Sequence, residues 1–204
     1  MSDVDKALLD VARIRSQLAA GTVFQGFGPA VIASTGLLAG VAALAQSLWP
    51  QQFAASDRHL LLVWIAVAML AATLIGLEMI ARARRHHGGL ADAMLLNAVE
   101  VFLPAGFAGA AIAAVVMMFA ADQQWMLPGL WQIFLALGIF SALRSLPRTV
   151  AFAAGWYFLS GICVLLVASD SRTLDPWMMG FPFLIGQLGL AWLLHSASDE
   201  TNEL

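Results

Sequence analysis

Apolar residues along this chain fall into six long runs that short polar segments separate. The runs cover about residues 24–49, 60–81, 95–121, 127–143, 147–168 and 176–195. Each is close to the roughly 20 residues that an α-helix needs to cross a hydrocarbon core. None alternates polar and apolar positions as β-barrel strands do, and backbone groups cannot go unpaired in lipid. The pattern predicts an all-α fold, a polytopic bundle of six transmembrane helices. Pro128 and the pair Asp175-Pro176 are predicted starts of the fourth and sixth helices.

The segment before the first run has a different pattern. Its apolar residues recur every three or four positions, which places them along one stripe of a helix. We therefore expect an N-terminal amphipathic helix that either lies among the lipid headgroups or packs on the cytoplasmic mouth of the bundle. The stripe consists of Val4, Leu8, Val11, Ile14 and Leu18.

Basic residues are distributed unevenly between the two sides of the predicted bundle. If the N-terminus is inside, eight of the ten Lys and Arg residues are cytoplasmic and only Arg58 and Arg172 are outside. The positive-inside rule therefore predicts that both termini are cytoplasmic. The predicted organisation is a cytoplasmic amphipathic helix over 1–22, a six-helix transmembrane domain over 23–196 and a cytoplasmic tail over 197–204.

Composition narrows the function classes. The chain is 61% hydrophobic and 11% charged, and its net charge of −3 gives no basis for nucleic-acid binding. Its single cysteine, Cys163, excludes an intramolecular disulfide and a cysteine-based zinc site. The loops are too short for a catalytic domain, and no Ser–His or Asp–Asp constellation is present. We expect a protein that is not an enzyme, carries no cofactor and has the lipid bilayer as its first partner.

Charged residues close to the cytoplasmic ends of the spans form the first candidate site. Burying a charge in lipid costs several kcal/mol unless it is paired or hydrated. One interpretation is a set of ion pairs that ties the inner helix ends together, with Glu78 also in reach of Arg82 at i+4. The other is an anion site or a cytoplasmic gate. The candidate residues are Glu78, Glu100, Arg144, Arg148 and the neighbouring amide Asn97.

The sixth span supplies the second candidate site. Gln187 is the most deeply placed strongly polar residue, Pro182 interrupts the same span, and Ser160 lies at a similar depth in the fifth. Gln187 either joins two helices, which is worth about 0.5–2 kcal/mol, or lines a cavity that Pro182 opens. No Asp, Glu, Lys, Arg or His lies in the middle of a span, which argues against a proton-coupled carrier.

Methionines near the predicted outer face offer a minor metal hypothesis. Thioether sulfur suits Cu(I), although methionine is also an ordinary gap-filling residue in apolar cores. The sequence has no outer Cys or His pair to support a metal, so we predict none and keep copper as an alternative. The residues concerned are Met117, Met118, Met126, Met178 and Met179.

Small residues spaced four apart predict where helices pack. Gly36 and Gly40 form such a face on the first span, and Ala105, Gly109 and Ala113 form another on the third. Faces of this kind let two backbones approach closely in lipid.

Three segments carry a resemblance to known proteins. They are FQGFGPA (24–30), MLPGLWQIFLALGIF (126–140) followed by LPR (146–148), and PWMMGFPFLIGQ (176–187). Together they resemble a group of uncharacterised small six-helix bacterial inner-membrane proteins. The resemblance covers nearly the whole chain and implies an inner-membrane location and six helices, with no activity to carry over.

Two function classes remain compatible with the sequence. The first is a non-enzymatic accessory, sensory or assembly module of the inner membrane, with a membrane-protein partner or a second copy of the chain. The alternative is a small-solute transporter or channel with a polar site near the sixth span. A water path to Gln187 favours transport, whereas a dry bundle with an exposed patch of small residues favours a partner protein.

Overall fold

Six long helices make up most of the computed structural model, which describes residues 28–86, 91–143 and 148–202. All six are long and apolar enough to cross a membrane. The chain is a multi-pass membrane protein with an all-α fold, as the hydrophobic runs predicted. The helices are α1 (Pro29–Leu48), α2 (Asp57–His86), α3 (Ala91–Phe119), α4 (Leu127–Ala142), α5 (Ala151–Ser171) and α6 (Trp177–Asn202).

Short helical segments join some of these helices. A single α-helical turn, Pro50–Phe53, follows α1, and 3₁₀ turns precede α4 and α5 at Ala121–Met126 and Arg148–Val150. Helix α2 extends beyond its predicted span at both ends, α3 begins before its span, and α6 continues after its span. In each case residues that flank the apolar run continue the helix. The predicted amphipathic helix over 1–22 lies outside the described residues.

Proline and capping residues determine where the helices begin. Pro29 and Pro128 lie in the first turns of α1 and α4, where a missing N–H costs nothing and the fixed φ suits a helix. Asp175 Oδ1 accepts a hydrogen bond from the Trp177 backbone N–H at 2.7 Å and so caps α6. The starts that the sequence predicts at Pro128 and at Asp175 are confirmed.

The helices form a closed ring in which neighbours are antiparallel. Each helix packs on the next one along the chain, and α6 closes the ring against α1. We call the end where α1 begins and Glu78 lies the Glu78 end, and the opposite end the Trp49 end. The ring interior is packed with apolar side chains. Towards the Trp49 end it holds Ala39, Ala43, Leu60, Trp64 and Met179, and towards the Glu78 end Ile32, Ala136, Ile139, Val150, Ala154, Tyr157, Ala191 and Leu194.

The α1–α6 contact uses the small-residue face predicted on the first span. A Cβ atom added to Gly36 would lie 2.8 Å from Gln187 Cβ, and one added to Gly40 would lie 3.4 Å from the Leu184 side chain. Further along, Gly180 of α6 packs so closely on Ala43 that a Cβ would overlap its methyl group. The prediction of close packing is confirmed at Gly36, where the partner is α6, whereas Gly40 makes only an ordinary van der Waals contact with the same helix.

The predicted small-residue face of α3 packs on α4. The Trp131 indole donates a hydrogen bond to the Gly109 carbonyl at 3.2 Å, and Ala113 is 5% exposed. A closer approach that we did not predict joins α4 to α5, where a Cβ on Gly129 would lie 2.7 Å from the Gly161 carbonyl oxygen. These contacts fix the spacing of α3, α4 and α5.

Candidate functional site

A break in the hydrogen bonding of α6 lies at Pro182. Proline has no N–H, so the Met178 carbonyl, four residues earlier, loses its intrahelical donor. Gln132 of α4 supplies a replacement, because its Nε2 donates to the Met178 carbonyl at 2.9 Å. Gln132 is fully buried, so this side chain closes the backbone gap from a neighbouring helix.

A second side chain holds the same part of α6. The Trp156 indole N–H, on α5, donates to the Pro182 carbonyl at 2.9 Å. Side chains of α4 and α5 therefore bond to the two residues of α6, Met178 and Pro182, between which the backbone hydrogen bond is missing. We did not single out Gln132 or Trp156 from the sequence. The available signal was a glutamine within an apolar run, together with a proline that must leave one carbonyl unpaired elsewhere.

Four buried polar atoms around this part of α6 have no hydrogen-bond partner among the described residues. They are Trp64 Nε1, Gln132 Oε1, Tyr157 Oη and Gln187 Oε1, and we call the four side chains the α6 polar group. Each such atom costs about 1–3 kcal/mol relative to a hydrogen-bonded one. This is a large cost for a core that is otherwise apolar.

The contacts of the α6 polar group place it along one helix. Trp64 packs in the cluster that contains Met179, and Gln132 bonds to the Met178 carbonyl. The Tyr157 hydroxyl lies 2.5 Å from where a Cβ of Gly186 would be. The orientation of the Gln132 amide is fixed, because its Nε2 also donates to the Pro128 carbonyl at 3.1 Å and a flip would set oxygen against oxygen.

The residues predicted for a cavity are only partly brought together. Pro182 is buried inside α6, and Gln187 is half-buried with its Cβ against Gly36 of α1. Ser160 uses its hydroxyl within its own helix, where it donates to the Tyr157 carbonyl at 3.2 Å. The polar side chains next to α6 are therefore those of Tyr157, Trp64 and Gln132, and not that of Ser160 as predicted.

The predicted charge layer is described in part. Glu78 pairs with Arg82, with 2.5 Å between Oε1 and Nε, as the i+4 spacing predicted. The Glu78 carboxylate also lies beside Gly28, where a Cβ would be 2.7 Å from Oε1. It thereby faces the positive end of the α1 dipole, which favours its charge.

The other members of that layer are exposed or lie outside the described part of the chain. Glu100 is exposed, and no ion pair involving it is found among the described residues. Arg144 and the side chains of Asn97 and Arg148 lie outside what the structure describes. Pairing of Glu78 or Glu100 with Arg144 or Arg148 therefore stays a prediction.

The five methionines of the copper hypothesis lie in different surroundings. Met179 is 4% exposed within the core cluster at the Trp49 end, whereas Met118 is 72% exposed on the outside of α3. Met117 packs against the core cluster of Leu61, Ala113 and Leu127, and Met126 and Met178 are half-buried. Within the described residues, no three His, Cys, Asp or Glu side chains form a metal-binding group.

Another buried glutamine has a structural role at the Trp49 end. Gln46 is 1% exposed, and its Nε2 donates to the carbonyls of Phe53 and Leu60 at 3.0 and 3.2 Å. It therefore ties the turn between α1 and α2 to α1. Its Oε1 has no partner among the described residues.

Comparisons with protein-family models, curated proteins and solved structures find no match to this chain. The function is therefore argued from the arrangement of its own side chains. Two features stand out for this purpose, the α6 polar group inside the ring and the poorly covered outer faces of α2 and α3.

Proposed function

We propose that this protein is a non-enzymatic accessory, sensory or assembly module that binds another membrane-embedded chain through α2 and α3. The observation that carries the proposal is how little of these two helices the bundle covers. Only 11% of the apolar window of α3 and 17% of that of α2 are buried, against 33–39% in the other four helices. A bound helix would cover this surface.

Exposure by itself does not show whether an apolar helix surface contacts lipid or a partner protein, because lipid chains and partner helices are both apolar. The small residues do, since glycine and alanine let a partner backbone approach closely. Gly76 of α2 and Gly106 of α3 each have open space where a Cβ would be. Each belongs to a row of small residues spaced four apart, and we call the two rows the α2–α3 face. The rows are Ala68, Ala72 and Gly76 on α2, and Gly106, Ala110 and Ala114 on α3.

The two helices contact each other near the Trp49 end, where Leu61 packs with Ala113. The glycines of the α2–α3 face lie further towards the Glu78 end, which leaves that part of the face open. Glu100, Arg84 and Arg85 are exposed at the same end and have no ion pair among the described residues. Exposed charges beside an apolar face favour one orientation of a charged partner.

A matched pair of glycine substitutions tests this proposal. Gly106→Leu and Gly189→Leu add the same side chain at positions where nothing lies within 4 Å, but Gly189 lies on α6, outside the α2–α3 face. We expect Gly106→Leu to reduce the mass of the assembly extracted in polymer-bounded native lipid discs, and Gly189→Leu to leave it unchanged. A wild-type chain that is monomeric in such discs would refute the proposal.

We also propose that the Glu78 end is cytoplasmic and that the membrane is the bacterial inner membrane. The excess of basic residues on that side supports the orientation, and the resemblance of three segments supports the location. In a Cys163→Ser background, cysteines at positions 52 and 171 should react with an impermeant reagent applied outside. Cysteines at positions 86 and 198 should react only after the membrane is opened, and the reverse pattern would invert the topology.

A small-solute transporter or channel is the second candidate function. The unpartnered atoms of the α6 polar group favour it, because polar groups inside a membrane protein often line a solute path. It is second because aromatic side chains fill the ring interior around Trp64 and Tyr157. The four polar atoms themselves are shielded from solvent in this conformation.

A further inference from the structure

We propose that the α6 polar group is the closed form of a binding site for a small uncharged solute that both donates and accepts hydrogen bonds. Urea and other small amides have this chemistry. The site would be reached from the Trp49 end when α6 moves. This inference goes beyond the partner role of the α2–α3 face and does not depend on it.

The unpartnered atoms define the chemistry of the solute. Trp64 Nε1 and the Tyr157 hydroxyl can donate, Gln132 Oε1 can only accept, and the Gln187 amide can do either. Trp64, Gln132 and Tyr157 are each at most 2% exposed, so these are buried side chains with unused hydrogen-bonding capacity. The contacts at Met178 and at Gly186 are eight residues, or about 12 Å, apart along α6, so a small solute with both donors and acceptors would bond to these atoms in turn as it moves along the helix. The middle of the spans carries no charge that would select an ion.

The position of further unpartnered atoms indicates the direction of access. Gln46 Oε1 and Trp125 Nε1 are also buried without a partner among the described residues, and both lie at the Trp49 end. Towards the Glu78 end the interior is instead closed by apolar side chains such as Ile139, Val150 and Leu194. Unused polar atoms therefore extend from the Trp49 end to the middle of the bundle.

Helix α6 is the element that can open this path. Pro182 removes one backbone hydrogen bond, and two side-chain bonds, from Gln132 and Trp156, hold the helix in place instead. Side-chain bonds can be exchanged for bonds to water or solute without unfolding the helix. Interrupted helices at membrane depth commonly line the binding sites of transporters.

Cysteine accessibility tests whether water reaches the site. In a Cys163→Ser background reconstituted in liposomes, Gln187→Cys should react with a water-soluble methanethiosulfonate, because only an ionised, hydrated thiol reacts quickly. Ile139→Cys at the apolar Glu78 end and Leu188→Cys on the exposed side of α6 are the controls. Because the reaction is irreversible, labelled protein accumulates each time α6 moves and the site opens, so a rarely populated open form is still detected. Equal or absent labelling at all three positions would overturn the proposal.

Urea flux tests the assigned solute. Tyr157→Phe removes only the hydroxyl, so we expect urea permeability of the proteoliposomes to fall about two- to tenfold, the effect of one hydrogen bond, while thermal stability is kept or raised. Gln52→Leu, on the exposed turn, should leave both unchanged. Urea flux no higher than in protein-free liposomes, or unaffected by Tyr157→Phe, would overturn the assignment of an amide-sized solute. Failure of either test leaves the partner proposal standing, because that rests on assembly mass.

Discussion

The replacement of Gln132 by methionine gives the most direct test of how α6 is held. Methionine keeps the length and much of the volume of glutamine but cannot donate a hydrogen bond. The Met178 carbonyl would then have neither the intrahelical donor that Pro182 lacks nor the side-chain donor at 2.9 Å. The variant also removes the bond from Gln132 Nε2 to the Pro128 carbonyl at 3.1 Å, but that carbonyl lies four residues earlier in α4 and keeps the Gln132 backbone N–H as a donor. The Met178 carbonyl is therefore the acceptor left without a donor, and Gln132 is fully buried.

The expected loss of stability follows from two opposing effects. Leaving a buried acceptor unpaired costs about 1–3 kcal/mol, although side-chain hydrogen bonds measured between membrane helices average about 0.6 kcal/mol. Methionine also removes Gln132 Oε1, an acceptor without a partner among the described residues, which offsets part of the cost. We expect a net loss of about 1 kcal/mol, or roughly 2–4 °C in Tm for a chain of this size.

A double-mutant cycle separates this interaction from general packing. Pro182→Ala restores a backbone N–H that can bond to the Met178 carbonyl, so in that background Gln132→Met should cost nothing. Thermal unfolding in one detergent gives all four stabilities, with Gln52→Met as a control on the exposed turn. The expected coupling is about 1 kcal/mol. Equal losses in the two backgrounds would refute our account of the Gln132–Met178 contact.

Two further predictions concern close packing and charge. Gly180→Ala should lower the free energy of unfolding by about 1–3 kcal/mol, because the new methyl group overlaps Ala43, and adding Ala43→Gly should restore it. Gly189→Ala, where a Cβ meets open space, should cost nothing. Equal losses from Gly180→Ala and Gly189→Ala would contradict this. Glu78→Gln should cost less than about 1 kcal/mol, because the carboxylate is partly exposed, and the loss should shrink as salt is raised. Glu100→Gln tests the predicted pairing with Arg144 or Arg148: we expect a loss no larger than that of Glu78→Gln, because Glu100 is exposed, and an unchanged thermal stability would refute the pairing.

The contacts of the glutamines show how far the candidate site was predictable. Gln187 was noticed because it lies in the middle of a span, and the structure does leave its Oε1 buried without a partner. Gln132 was missed, although it makes the more informative contact, because its acceptor lies 46 residues away on another helix. The positions of the glutamines in the sequence do not show which backbone carbonyl each side chain bonds to.

The sequence by itself determined the features that depend on neighbouring residues. The length of each apolar run predicted six helices, Pro128 and Asp175 predicted where two of them begin, and Gly36 predicted a surface of close packing. These features follow from hydrophobic length, from proline geometry and from the absence of a side chain. Each is a property of a few consecutive turns.

Only the tertiary structure decided how each helix is rotated about its axis and which helix it meets. In lipid the inside and the outside of a bundle are both apolar, so periodicity does not distinguish them as it does in a soluble protein. Three features depend on that rotation: the hydrogen bond from Gln132 to Met178, the hydrogen bond from Trp156 to Pro182, and the open α2–α3 face. They arise from contacts between distant segments, which form only when the whole ring closes.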